Sequence, residues 1–159
     1  MTITRFSFPT TIHFGPGARK LVGEHLRELG LRRPLVVTDR GLAALPVLTQ
    51  FMQLLESGLD ASVYSGVQGN PTAPQVTAGV IAYKAHRADC VIGFGGGAAL
   101  DVAKVVAAMA VHEGDVLEYA WDHPEVRALS HPLPPFFALP TTSGTGSEVG
   151  RSSVVSEAT

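Results

Sequence analysis

Two short runs of this chain leave no room for a wet face. Leu35-Val36-Val37-Thr38 and Cys90-Val91-Ile92-Gly93-Phe94 are apolar at nearly every consecutive position. A strand points alternate side chains to opposite sides, so a strand with one face in water shows a polar residue at every second position. These do not, and as strands they must be covered on both sides. Segments of helical period separate them. Ala18, Leu21, Val22, His25, Leu26 and Leu29 fall on one helix face, stopped by Gly30. Leu45, Leu48, Met52 and Leu55 mark a second helix, with Pro46 tolerable only in its first turn. Val76, Val80 and Tyr83 mark a third, and a nearly all-apolar segment from about Ala98 to Val111 a fourth. Further strands are expected at Ala61 to Tyr64, at Phe136 to Leu139 and at Ser152 to Ser156. An alternating N-terminus, broken at Pro9-Thr10, predicts a short strand pair before Gly15. The expected fold is α/β, a mostly parallel sheet with helices on both faces.

Composition narrows the partners. A net charge of −2 offers no basic stripe, which argues against nucleic acid, where phosphate neutralisation supplies much of the affinity. The longest apolar run, Val102 to Val111, is interrupted by Lys104 and is far short of a bilayer span, so no membrane is expected. Cys90 is the single cysteine and permits no internal disulfide, in keeping with a reducing, cytoplasmic setting. Hydrophobic residues make up 45% and charged residues 16% of 159 residues. That richness suggests either helices buried on both sides or a face normally covered by something else, and a homo-oligomer is expected.

The densest chemical signal is Gly93-Phe94-Gly95-Gly96-Gly97-Ala98, which follows a strand and opens a helix. Glycines let the backbone approach an anion, and the free N–H groups of a helix start favour negative charge there. The run fits a permissive G-x-G-x-x-A pattern. Yet Glu113, about 20 positions on, follows a helix where the usual dinucleotide fingerprint wants a strand. A phosphate-loop lysine motif is absent as well. A better acid stands upstream. Asp39 ends the run at Leu35 to Thr38, where a carboxylate can accept from both ribose hydroxyls and repel a 2′-phosphate, favouring NAD over NADP. Taken alone, Asp39 reads more readily as a helix N-cap. A second loop, Pro140-Thr141-Thr142-Ser143-Gly144-Thr145-Gly146-Ser147-Glu148-Val149, also follows an apolar strand, with five hydroxyls in seven residues. Asn70-Pro71-Thr72, just past another strand, is by itself a turn signal.

Gly95-Gly96-Gly97 with Asp101 and Ala103-Lys104, followed by the threonine-rich loop, resembles the iron-containing alcohol dehydrogenase family, over essentially the whole chain. The order of Asp39, Asn70-Pro71-Thr72 and the two loops fits as well. The resemblance implies a Rossmann-like dinucleotide-binding domain over residues 1–159 that ends before an all-helical, metal-binding C-terminal domain. It implies that Asp39 holds the adenine-side ribose and Asn70 lies along the cofactor. Gly96, Gly97 and Ala98 would cradle the pyrophosphate. Thr141, Thr142, Thr145, Ser147 and Val149 would line the adenine and nicotinamide-ribose stretch. Ala98 departs from the serine usual in the family, which removes a hydroxyl and leaves the backbone N–H. Asp101 is grouped with the cofactor site as a residue that orients the loop, and Lys104 is expected to face solvent or another domain.

The family's metal, Fe²⁺ or Zn²⁺, would be held by one Asp and three His of the C-terminal domain. The six histidines here, at 13, 25, 86, 112, 123 and 131, show no ligand spacing. The implied activity is hydride transfer between a primary alcohol or aldehyde and NAD, with the chain alone binding dinucleotide and oxidising nothing. Two other readings stay open: a related polyol dehydrogenase or dehydroquinate-synthase-like enzyme, and a nucleotide-binding module without catalysis.

Overall fold

The computed structural model describes residues 10–55 and 58–157. Four strands, all parallel, make one sheet: β1 Pro34–Asp39, β2 Ser62–Val67, β3 Cys90–Gly95 and β4 Phe136–Pro140, in the spatial order β2-β1-β3-β4. The two runs without a polar face are the two central strands. Val36 pairs with Val63 on one side and Ile92 on the other.

Strand alternation divides their side chains between two cores. Val36, Ile92 and Phe94 enter the first, with Leu26 from α1 (Val22–Glu28) and Leu48, Phe51 and Leu55 from the helix Pro46–Leu55. Phe51 and Phe94 stack there with ring centroids 4.9 Å apart. Leu35, Val37 and Val91 enter the second, with Val76 from the helix Ala73–His86 and Val102, Ala103 and Val106 from the helix Gly97–Met109. Burying one such side chain contributes roughly 1.5–3 kcal/mol, so both faces gain from being covered. Cys90 lies in the first core, where burial pushes its thiol up and leaves no thiolate to react.

The helices follow the sequence signals with informative shifts. The first begins as a tighter turn, Ala18–Leu21, before α1, and Gly30 follows it at φ +73°. The second divides into α2 (Arg40–Ala43) and α3 (Pro46–Leu55), because Pro46, lacking an N–H, serves as a helix start and not as an interior residue. The third, α4, runs Ala73–His86 with a proline in its first turn and Arg87 in the left-handed region at its end. The fourth is α5, Gly97–Met109.

Two expectations are corrected. The second member of the N-terminal strand pair, at 11–14, is exposed and forms no strand; the first lies outside the described residues. Ser152 to Ser156 is not a strand either: it meets the sheet side only through a parallel bridge between Thr72 and Ser156. Its hydrogen bonds go to loops and a helix rather than to β4.

The strand order places the site. From β1 the chain crosses to β2 on one side, whereas β3 lies on the other and β4 beyond it. Connections therefore diverge between β1 and β3, and a crevice opens at the carboxyl ends of those strands.

Candidate functional site

A cleft of about 330 Å³ occupies that crevice. Asp39 and Arg40 past β1, Gly69 past β2, and Gly96 and Ala98 past β3 line it.

The floor is backbone. Gly95 closes β3 at φ +155°, and a Cβ there would sit 2.8 Å from Ala99 Cβ. Both the conformation and the contact require glycine. Gly96 then caps α5 without a side-chain hydrogen bond to the helix. The first-turn N–H groups of α5 are thus left for an entering anion, with the helix dipole favouring negative charge.

Asp39 closes β1 beside this floor. Its Oδ1 accepts from Leu42 N–H at 2.8 Å, so the carboxylate is the N-cap of α2. Its other oxygen, Oδ2, lies 3.4 Å from where a Gly95 Cβ would stand. One carboxylate therefore both caps a helix and turns an oxygen toward the glycine turn, and the two readings of Asp39 are compatible.

The threonine-rich loop stands against the glycine turn on the β4 side, outside the residues that line the cleft itself. Gly95 and Pro140 are register partners, and Thr141 N–H donates to Gly95 O at 2.9 Å. A Cβ on Gly97 would meet Thr145 Cβ at 3.2 Å and Ser147 Oγ at 3.3 Å; one on Gly96 would meet Thr142 Oγ1 at 3.4 Å. The two loops are in contact across the glycines. Ser147 N–H bonds Thr145 Oγ1 at 3.3 Å, and Val149 N–H bonds Gly146 O at 3.1 Å, so the loop is folded on itself. Thr141, Thr142 and Thr145 are exposed. Asn70 is exposed and follows Gly69, but does not itself line the cleft.

Asp101 and Lys104 sit one turn apart on α5, with side chains only 13% and 14% exposed, and pair at 3.0 Å. Lys104 Nζ also donates to Ser152 O at 2.5 Å, and Asp101 Oδ2 accepts from Val154 N–H at 3.3 Å. The expectation of a solvent-facing Lys104 is corrected: its ammonium is satisfied by a carboxylate and by carbonyls of its own chain.

Sequence reasoning missed a second polar hollow, of about 180 Å³, around His112, Tyr119, Arg127 and His131. His112 is 6% exposed. Its Nδ1 donates to Ala108 O at 2.7 Å, and its Nε2 accepts from His131 N–H at 3.1 Å. Arg127 bonds Glu118 at 2.8 Å and lies over the Tyr119 ring. The only signal was a histidine just past an apolar helix. Arg40 was also missed, since an arginine after a strand end is unremarkable in sequence. Among the described residues no group of three His, Cys, Asp or Glu side chains is placed to hold a metal ion, and no helix is long and apolar enough to cross a membrane.

Residues 9–159 match the family model described as iron-containing alcohol dehydrogenase. A 1,3-propanediol dehydrogenase of Citrobacter freundii is 38% identical over 150 residues, covering 92% of this chain and 38% of that protein. The crystal structure of an NADH-dependent butanol dehydrogenase A from Thermotoga maritima superposes with a TM-score of 0.86 at 31% identity, covering 99% of this chain and 39% of that one. That of a sulfoacetaldehyde reductase from Bifidobacterium kashiwanohense, in complex with NAD⁺, superposes with a TM-score of 0.85 at 25% identity, covering 99% and 41%. The chain thus spans 38–41% of the length of these relatives.

Proposed function

Because the chain belongs to the iron-containing alcohol dehydrogenase family, we propose that its cleft holds NAD and that the whole protein moves a hydride between a primary alcohol or aldehyde and that cofactor. One observation carries this reading. A free carboxylate oxygen and a glycine turn that tolerates no Cβ meet at one cleft where the strand order reverses, and a hydroxyl-rich loop stands against the same glycines from the β4 side.

The cleft fits a dinucleotide on its own geometry. Where a Cβ would fill the space at Gly95 and crowd Gly97, the bare backbone can come close to a pyrophosphate. In this reading the N–H groups of Gly96, Gly97 and Ala98 take the pyrophosphate, so the missing hydroxyl at Ala98 costs little. Asp39 Oδ2 accepts from the adenine-side ribose, and Asn70 lies along the cofactor from the β2 edge. Thr141, Thr142, Thr145, Ser147 and Val149 line the stretch toward the adenine and the nicotinamide ribose. Asp101 acts on the site through the helix and loop it ties together. Its carboxylate is engaged by Lys104 and Val154. A bound Fe²⁺ or Zn²⁺ would supply Lewis-acid polarisation of the alcohol oxygen. We place its ligands in the part of family members that this chain does not span, and assign the protein a cytoplasmic, homo-oligomeric state. The chain by itself is then a binder of dinucleotide that turns over no alcohol.

Equilibrium titration with NADH and NADPH, read by nucleotide fluorescence, tests this. NADH should bind more tightly than NADPH by about tenfold or more, equivalent to roughly 1.4 kcal/mol of repulsion at the 2′-phosphate. Asp39→Gly should narrow that ratio. A ratio unchanged by Asp39→Gly reduces Asp39 to a helix cap.

A further inference from the structure

We propose that residues 150–156 act as a strap that fixes the spacing between the walls of the cleft, with Lys104 as its positioning residue. The segment leaves the threonine-rich loop, crosses α5 and reaches the junction of β2 and α4. It is held at each stage. Lys104 Nζ donates to Ser152 O at 2.5 Å and to Gly150 O at 3.4 Å. Val154 N–H donates to Asp101 Oδ2 at 3.3 Å, and Asp101 is itself paired with Lys104. Val155 packs on the core beneath α4 and α5. Ser156 N–H donates to Pro71 O at 3.0 Å, and Ser156 O accepts from Ala73 N–H at 3.0 Å.

These contacts link three elements that sequence leaves far apart. Asp101 and Lys104 stand on the helix opened by the glycine turn. Gly150 ends the threonine-rich loop. Pro71 to Ala73 follow Asn70. Loops are ordinarily the least ordered parts of a fold, and a ligand that must order a loop on binding binds more weakly by the fraction of time the site is formed. A nearly buried ammonium, having given up most of its hydration, is held by a carboxylate and two carbonyls, and any arrangement that keeps it buried without them leaves its donors unsatisfied. The strap therefore keeps both walls at the separation a dinucleotide needs before one arrives. This inference rests on the dinucleotide reading above, and it adds a residue that stands outside the lining of the cleft.

The test combines amide hydrogen exchange with NADH titration on the folded protein, for Lys104→Met, Lys104→Arg and Ser156→Pro. Wild type should protect the amides of Val154, Ser156 and Ala73. Lys104→Met keeps the length of the side chain and removes its donors. It should speed exchange at Val154 and Ser156 and weaken NADH binding about tenfold, as for a site formed about one tenth of the time. Lys104→Arg, which keeps charge and donors, should restore most of both. Ser156→Pro removes a donor at the far end of the strap and leaves α5 intact; it should also weaken NADH, and it carries the test if Lys104→Met does not fold. A loosened strap with unchanged NADH affinity overturns the proposal while the dinucleotide reading stands. So does free exchange of these amides in wild type. A folded wild-type protein that binds no NADH overturns the dinucleotide reading, and the role of the strap falls with it.

Discussion

Two hollows among the described residues, one lined by histidines, Tyr119 and Arg127, the other by glycines and Asp39, differ in what their polar groups are doing. Around His112 three side chains are already engaged: both ring nitrogens of His112, the Tyr119 hydroxyl on Glu113 O, and Arg127 on Glu118 and the Tyr119 ring. In the cleft, Asp39 Oδ2 takes no hydrogen bond among the described residues, α5 starts without a side-chain cap, and the threonines at 141, 142 and 145 face outward. The first hollow pins a long connection between α5 and β4. The second presents a carboxylate oxygen and helix-start N–H groups that no side chain among the described residues takes up. Polar residues in a hollow therefore point to binding when their hydrogen-bonding capacity is left over, and to structure when it is satisfied internally.

Opposite substitutions in the two places should separate binding from stability. Gly97→Val drives a branched side chain into Thr145 and Ser147 and should displace the threonine-rich loop. We expect NADH affinity to fall by about 100-fold, the scale associated with misplacing a site by about an ångström, as read by fluorescence titration. His112→Phe should do the reverse. It leaves His131 N–H and Ala108 O without their partners, lowering stability in urea by about 1–3 kcal/mol with NADH affinity unchanged. A large effect of His112→Phe on affinity would erase the contrast.

Asp39→Asn is a finer probe. An amide oxygen can still cap α2 by accepting from Leu42 N–H, so stability should change by less than the roughly 1 kcal/mol of a lost cap. The charge that repels a 2′-phosphate is gone, and the NADH-to-NADPH affinity ratio should shrink severalfold. Equal loss of stability and selectivity would mean that the two oxygens of Asp39 do not have separate roles.

The smallest expected effect concerns acid. The Arg127 hydrogen bond holds the Glu118 carboxyl below the usual carboxylate range. A depressed folded-state pKa stabilises above the unfolded-state value, and that contribution is lost as pH falls through the depressed one. Glu118 is at the surface, so the loss should be slight and salt-sensitive. Comparing the pH dependence of melting for wild type and Glu118→Gln measures it, and a steep difference would mean that the connection is held far more by this pair than its exposure suggests.

Sequence resolved these features unequally. Leu35 to Thr38 and Cys90 to Phe94 declared two covered central strands because burial on both faces leaves a local imprint. The glycine turn and the threonine-rich loop were legible for the same reason: each is contiguous. Asp39 was ambiguous because capping and ribose binding ask for the same side chain, and only the placement of its two oxygens shows that both are available. The strap was misread as a strand, since Val154 and Val155 carry β-propensity while the partners of this segment lie 46 to 53 residues away on α5 and farther still at Pro71 and Ala73. Lys104 was misassigned on the same ground. His112 was passed over because satisfaction by two backbone groups leaves no spacing to detect. Local chemistry can be read along a chain; hydrogen bonds that close between distant segments cannot.

The central claim is that ligand binds where polar capacity is left over. It is tested most directly by following backbone amide resonances of the protein as NADH is added. The account predicts shifts at Asp39 to Gly41, Gly96 to Ala98 and Thr141 to Val149, with Val111 to Glu113 and Ser130 to His131 unmoved. Shifts centred on the His112 hollow, or a folded protein whose cleft amides stay still at saturating NADH, would contradict it.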